Sequence, residues 1–183
     1  STYICHPSLA NNEISGPVVT TAIAKWLLSL DSLTHSYRIV FVPETIGSIL
    51  YLSRNLKHLK KYIIAGFNVT CVGDNLAYSY LASRKGNTLA DRVAKHVLGH
   101  MVAEYNSYTF LDRGSDERQY CAPGVDLPLV SVMRSRYGDY PEYRTSDDNL
   151  DFISPEGLDG SFKLLSACLK TLEANKNYFS TNL

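Results

Sequence analysis

STYICHPSLANNEISG, residues Ser1–Gly16, reads as the junction between a strand and a helix. Thr2, Tyr3, Ile4 and Cys5 form a short β-prone run, and His6-Pro7 breaks it. A polar loop covers Ser8 to Asn12. Glu13 then begins a helical pattern that runs to about Leu30, with Val18, Val19, Ala22, Ile23, Trp26, Leu27 and Leu30 at helical spacing. A His therefore stands at the carboxyl end of an expected central strand, with Asn-Asn-Glu at the start of the next helix. In open α/β sheets, sites form at those strand ends.

Outward from this junction the same alternation continues. Tyr37 to Val42 (YRIVFV) is a continuous apolar run of the kind buried in a parallel sheet. Pro43 to Gly47 turns the chain into a second helix, roughly Ile46 to Asn55, followed by an exposed basic linker from Lys57 to Lys61. Tyr62 to Val72 is expected as a strand ending at Gly73-Asp74-Asn75, with a short edge strand from Leu76 to Leu81. Asn87 or Thr88 caps a helix to about Tyr105. Tyr108 to Leu111 is a short strand, Arg113 to Gly124 a polar loop, Leu127 to Met133 another strand, and Arg134 to Asn149 a long loop. Ser154-Pro155-Glu156-Gly157 opens a last helix to about Asn177. Strands alternating with helices predict one α/β domain: a mostly parallel central sheet covered on both faces.

The chain has 183 residues, enough for a single domain with a real core. Its 18 basic and 18 acidic residues balance, which argues against broad binding to nucleic acid or to an anionic membrane. No apolar run approaches the roughly 20 residues of a membrane span, and no signal peptide is read. The four cysteines, Cys5, Cys71, Cys121 and Cys168, form no CxxC pair and are expected as buried reduced thiols, which favours a cytoplasmic chain. The chain lacks an initiator Met and starts inside a strand, so it is read as a segment of a longer protein. The oligomeric state has no signature here.

Polar residues collect after the strands: His6 with Asn12 and Glu13, then Glu44, Asp74 and Ser115-Asp116, with Arg144 to Asn149 in the late loop. Parallel strands place their carboxyl ends on one rim, so these residues can converge. An imidazole with two or more carboxylates makes a zinc shell with an open position, and a further Glu outside it is a candidate base.

These motifs, in this order, resemble the zinc aminopeptidase superfamily, with its phosphorylase/hydrolase-like fold. More closely, they resemble a bacterial aminopeptidase-like domain family whose biochemical role is poorly defined. HPSLANNEISGP resembles that family's opening metal motif, and PETIG, CVGD, SDERQYCAPGVDLP and YRTSDDNLDF its later ones. The resemblance implies an α/β/α sandwich of zinc exopeptidase type and a hydrolase for a small peptide or other amide. It implies His6 and Asp74 as metal ligands and Glu44 as general base. Asn12 stands where the family has a bridging Asp, so Glu13 is taken as the carboxylate ligand. Asp116 matches a Ser-Asp pair and is taken with Arg144 as substrate-binding. Thr45 and Arg144 replace both private ligands of a second metal, so one zinc ion at most is expected, with the Arg144 guanidinium in place of the second cation.

Each residue has a plainer alternative. His6 can cap a strand end, Asn12 and Glu13 can cap a helix, Glu44 can match a helix dipole, and Asp74 can be a turn residue. Arg144 can form a loop salt bridge with Asp147 or Asp148. His96 and His100 have the spacing of a helical metal pair, but Val97 stands where HExxH has Glu. Three function classes follow: a zinc hydrolase, a catalytically degenerate binding module on the same fold, and a cysteine hydrolase using Cys5 or Cys121. The last ranks lowest, because adjacent strand residues Cys5 and His6 are expected to face opposite ways.

Overall fold

Leu129–Met133 forms a strand buried along its whole length, with alternate side chains in different cores. Val130 and Val132 join one apolar cluster, Leu129 a second and Met133 a third. A continuous apolar run behaves this way in the middle layer of an α/β protein.

A computed structural model describes residues 1–176. β1 is Thr2–Ile4, a π-helical turn spans Ala10–Ile14, and α1 is Ser15–Leu28. β2 is Phe41–Pro43, α2 Ile46–Tyr62, β3 Gly66–Asn68 and β4 Ser79–Leu81. α3 is Leu89–Met101, β5 Asn106–Tyr108 and α4 Glu117–Tyr120, with a 3₁₀ turn at Phe110–Asp112. The buried strand is β6, and α5 is Pro155–Glu173.

β2 pairs with β1, β3 with β6 and β4 with β5 in parallel, whereas β4 and β6 run antiparallel. Ser1 links the β1–β2 pair to the other four strands. Its amino nitrogen donates to Phe67 O at 2.8 Å, and Val69 N donates to Ser1 O at 2.8 Å. α1, α3 and α5 pack on one face of the sheet, α2 and α4 on the other. This is the expected α/β/α sandwich with a mostly parallel sheet. Gly16 lets α1 lie close to the strands: a Cβ there would meet both Thr2 Oγ1 and Val69 O at 2.5 Å. Among the described residues no helix is long and apolar enough to cross a membrane.

Several boundaries differ from the sequence expectation. Lys57 to Lys61 is not a linker but part of the last turns of α2, with Leu59 buried and the lysines exposed. Only the end of the 37–42 run pairs as a strand; Tyr37 instead donates its hydroxyl to Glu173 Oε1 at 2.6 Å. β3 is shorter than 62–72: α2 runs on to Tyr62, and the paired strand stops at Asn68, before Cys71 at φ 50°. β4 lies inside the sheet, and β5 is its edge. The polar 113–124 loop contains α4, and of the expected 108–111 strand only Tyr108 pairs, at the end of β5, before the 3₁₀ turn at Phe110–Asp112. α3 stops at Met101 rather than Tyr105, with Thr88 as its cap. α5 ends at Glu173; the expected end at Asn177 lies outside the described residues.

Candidate active site

The π-turn is the local device that builds the site. Ala10 opens it, and the backbone N–H groups of Asn11 and Asn12 both donate to the buried Asp148 carboxylate, at 2.6 Å and 3.0 Å. A π-turn carries one more residue per turn than an α-helix expects, which rotates the side chains that follow. Glu13 is thereby turned back toward the end of β1 and buried. Its Oε1 lies 3.0 Å from His6 Nδ1 and accepts Asn12 Nδ2 at 2.9 Å, while its Oε2 accepts Cys5 N at 2.7 Å. Asn12 also reaches the other way: its Oδ1 accepts the Tyr3 hydroxyl at 3.0 Å, and that hydroxyl lies 2.7 Å from Thr70 Oγ1. Glu13 is therefore held by a chain of hydrogen bonds rooted in the core.

Cys5, His6 and Glu13 each present a metal-ligating atom within 4.8 Å of the other two. Cys5 and His6 do not face opposite ways, because β1 ends at Ile4 and strand alternation no longer applies beyond it. Cys5 is also exposed, not buried like Cys71, Cys121 and Cys168. Its thiol is pushed up by desolvation and by the Glu13 and Glu44 carboxylates, against the pull of Arg144. That is the wrong direction for a thiolate nucleophile. Sulfur, imidazole and carboxylate are all donors that zinc takes. The donor set thus fits one zinc ion.

Glu44 follows β2 and faces the same corner. Its carboxyl lies above the usual range, first from partial burial and then from the Asp116 and Glu13 charges; Arg144 and Arg118 oppose this. The next residue, Thr45, has φ 61° and ψ −65°, and Ile46 N donates back to Glu44 O at 2.6 Å. This is a γ-turn of the rare, strained hand on a β-branched residue. Asp116 holds it in place. Asp116 Oδ1 accepts Thr45 N at 2.8 Å and Ser48 Oγ at 2.9 Å. Asp116 is fully buried, and its Oδ2 has no hydrogen-bond partner among the described residues. Through Oδ1 this buried side chain supports the turn from behind.

Asp74 does not join the Cys5–His6–Glu13 group. It is fully buried, and both oxygens are occupied. Oδ1 accepts Leu76 N at 3.0 Å and Ser135 Oγ at 2.7 Å; Oδ2 accepts Asn11 Nδ2 and Ser135 N, each at 3.0 Å. Asp74 braces the outer side of the π-turn, apart from the ligand atoms of Cys5, His6 and Glu13. Thr70 and Cys71, a few residues earlier, are the ones from this segment that face Asn12: Thr70 Oγ1 donates to Asn12 O at 3.2 Å and Cys71 Sγ to Asn12 Oδ1 at 3.7 Å. Arg144 is exposed, at φ 59°, and forms no ion pair with Asp147 or Asp148. Its guanidinium carbon lies 5.2 Å from the Tyr143 ring, and its charge is felt at Cys5 and Glu44. Tyr3, Thr70 and Asp148 are site-building residues that the sequence reading missed. Asp148 stood in the Asp-Asp-Asn run, but nothing in the run says which acid turns inward.

The geometry now has relatives to set beside it. The family described as "Domain of unknown function (DUF4910)" matches residues 1–175. A Clostridium acetobutylicum protein named "Putative polysaccharide biosynthesis protein with aminopeptidase-like domain" is 43% identical over 182 residues, covering 100% of this chain and 41% of its own. The "crystal structure of putative peptidase" from the same organism superposes with a TM-score of 0.94 at 42% identity, over 99% of this chain and 42% of that one. An aminopeptidase from Aneurinibacillus sp. strain AM-1 has the same fold at 20% identity, with a TM-score of 0.75 over 93% of this chain and 42% of that one. The chain thus spans about two fifths of the length of the relatives it matches.

Proposed function

This chain belongs to the DUF4910 family, an aminopeptidase-like family, and we propose that it carries a one-zinc hydrolytic centre for a peptide or other amide bond. The observation that supports this most is the meeting of His6 with Glu13 at 3.0 Å in a corner that Glu44 also faces. His6 and Glu13 would hold the metal, which when bound would supply Lewis-acid polarisation of the scissile carbonyl. Glu44 takes the proton from the attacking water and returns it to the leaving amine. Its raised carboxyl moves it toward the basicity such a step needs near neutral pH. Arg144, exposed at the rim, binds a substrate carboxylate or carbonyl oxygen through a forked hydrogen bond. Asp116 and the Thr45 turn fix where Glu44 points. The four free thiols support a reducing, cytoplasmic setting.

The test is hydrolysis of a panel of aminoacyl amides by the full-length protein. Glu44→Gln should lower kcat by roughly 10²–10⁴-fold, the usual contribution of a general base. An unchanged rate would remove Glu44 from the mechanism. A second reading, a binding module that has lost catalysis, is favoured by the neutral Asn12 and Thr45 beside the uncompensated Arg144. Tight amide or carboxylate binding without turnover would support it.

A further inference from the structure

We infer that Cys5 is the third protein ligand of the metal in this chain, through its Sγ, in place of a carboxylate from the strand loops. The inference rests on the one-zinc reading above and extends it to a sulfur ligand.

Three observations point to it. The first is geometry. The ligand atoms of Cys5, His6 and Glu13 lie within 4.8 Å of one another. Ligands about 2.0–2.3 Å from a tetrahedral zinc stand roughly 3.3–3.8 Å apart, so a small closing movement completes the shell. The second is exclusion. Among the described residues neither Asp74 nor Asp148 brings a ligand atom into the group that His6 and Glu13 form, and both carboxylates brace the π-turn. The third is the way Cys5 is fixed. Its backbone N–H donates to Glu13 Oε2 at 2.7 Å, so one ligand residue positions another. Cys5 is exposed, which leaves the fourth, outward position open to solvent and substrate. On binding, the Cys5 S–H bond is lost, an S–metal bond forms, and the proton passes to solvent.

The experiment is a titration of the metal-free full-length protein with Co²⁺, followed by competition with Zn²⁺, for wild type, Cys5→Ser and Cys5→Asp. Wild type should show the intense near-ultraviolet sulfur-to-cobalt absorption. Cys5→Asp should bind cobalt without it. Cys5→Ser should weaken zinc binding by more than the roughly 10- to 100-fold that loss of a supporting partner costs. Cobalt bound by wild type without that absorption, or an unchanged affinity in Cys5→Ser, would overturn the sulfur ligand and leave the His6–Glu13 site standing. No cobalt bound by any of the three would overturn both readings. Because Cys5 is exposed, its variants should fold, and circular dichroism checks that they do.

Discussion

Thr45 N donates to Asp116 Oδ1 at 2.8 Å, and this single bond ties a strained turn to a buried acid 71 residues away. The turn carries Glu44 to the site corner. A residue at φ 61° with a branched Cβ stores on the order of 1–3 kcal/mol, and its surroundings must hold it there.

Thr45→Gly should therefore keep or raise stability, by up to about 1 kcal/mol, since glycine accepts positive φ without that strain. Asp116→Ala should do the reverse: it strips the acceptor from Thr45 N and Ser48 Oγ and should cost roughly 2–3 kcal/mol. Urea unfolding of the two variants checks both signs. With activity in hand, Asp116→Ala should lower kcat with KM nearly unchanged, as expected of a residue that positions Glu44.

Asp74→Asn separates a metal ligand from a structural brace. Four donors point at Asp74, and an amide nitrogen cannot accept from them. The variant should lose roughly 3 kcal/mol of stability while keeping the zinc stoichiometry of wild type. Loss of zinc from a variant that still folds would restore the ligand role to Asp74.

Much of the framework was legible because its signals are local. The apolar run of β6 and the spacing in α1 each dictate a buried element, and Thr88 with Asp91 gives the capping box that starts α3. The site was legible only in part. His6 and Glu44 follow strands directly, so strand ends found them. Glu13 reads as a substitute carboxylate from its place beside Asn12, but what turns it to His6 is the π-turn, which depends on Asp148 more than a hundred residues later. Asp74 looked like a strand-end acid because the length of β3 was overestimated; the strand stops at Asn68, and Thr70 takes the inward position. The lysines of α2 read as a linker because a solvent-facing helix surface and a loop have the same composition.

Asp91 makes a pH prediction. Burial raises its carboxyl, but hydrogen bonds from Ser83, Thr88 and Tyr80 outweigh this and hold it below the ordinary 3.8. A depressed folded value means its stabilising contribution is complete above that ordinary value and is lost as pH falls through the folded one. Asp91→Asn should cost roughly 3 kcal/mol at neutral pH and less at strongly acidic pH. Thermal unfolding of both proteins across pH 2–7 measures this; a difference that grows on acidification would contradict it.

Arg144→Ala tests the rim cation. The side chain is exposed and unpaired with the nearby acids, so stability should move by less than about 0.5 kcal/mol. A substrate with a carboxylate should lose on the order of tenfold or more in kcat/KM, chiefly through KM, and Arg144→Lys should restore only part of it.

The most direct measurement is zinc per chain by elemental mass spectrometry, on protein purified without added zinc, beside His6→Ala and Glu13→Gln. About one zinc is expected in wild type, and its loss in both variants. Two zinc ions, one that survives Glu13→Gln, or none even after zinc is supplied would contradict this.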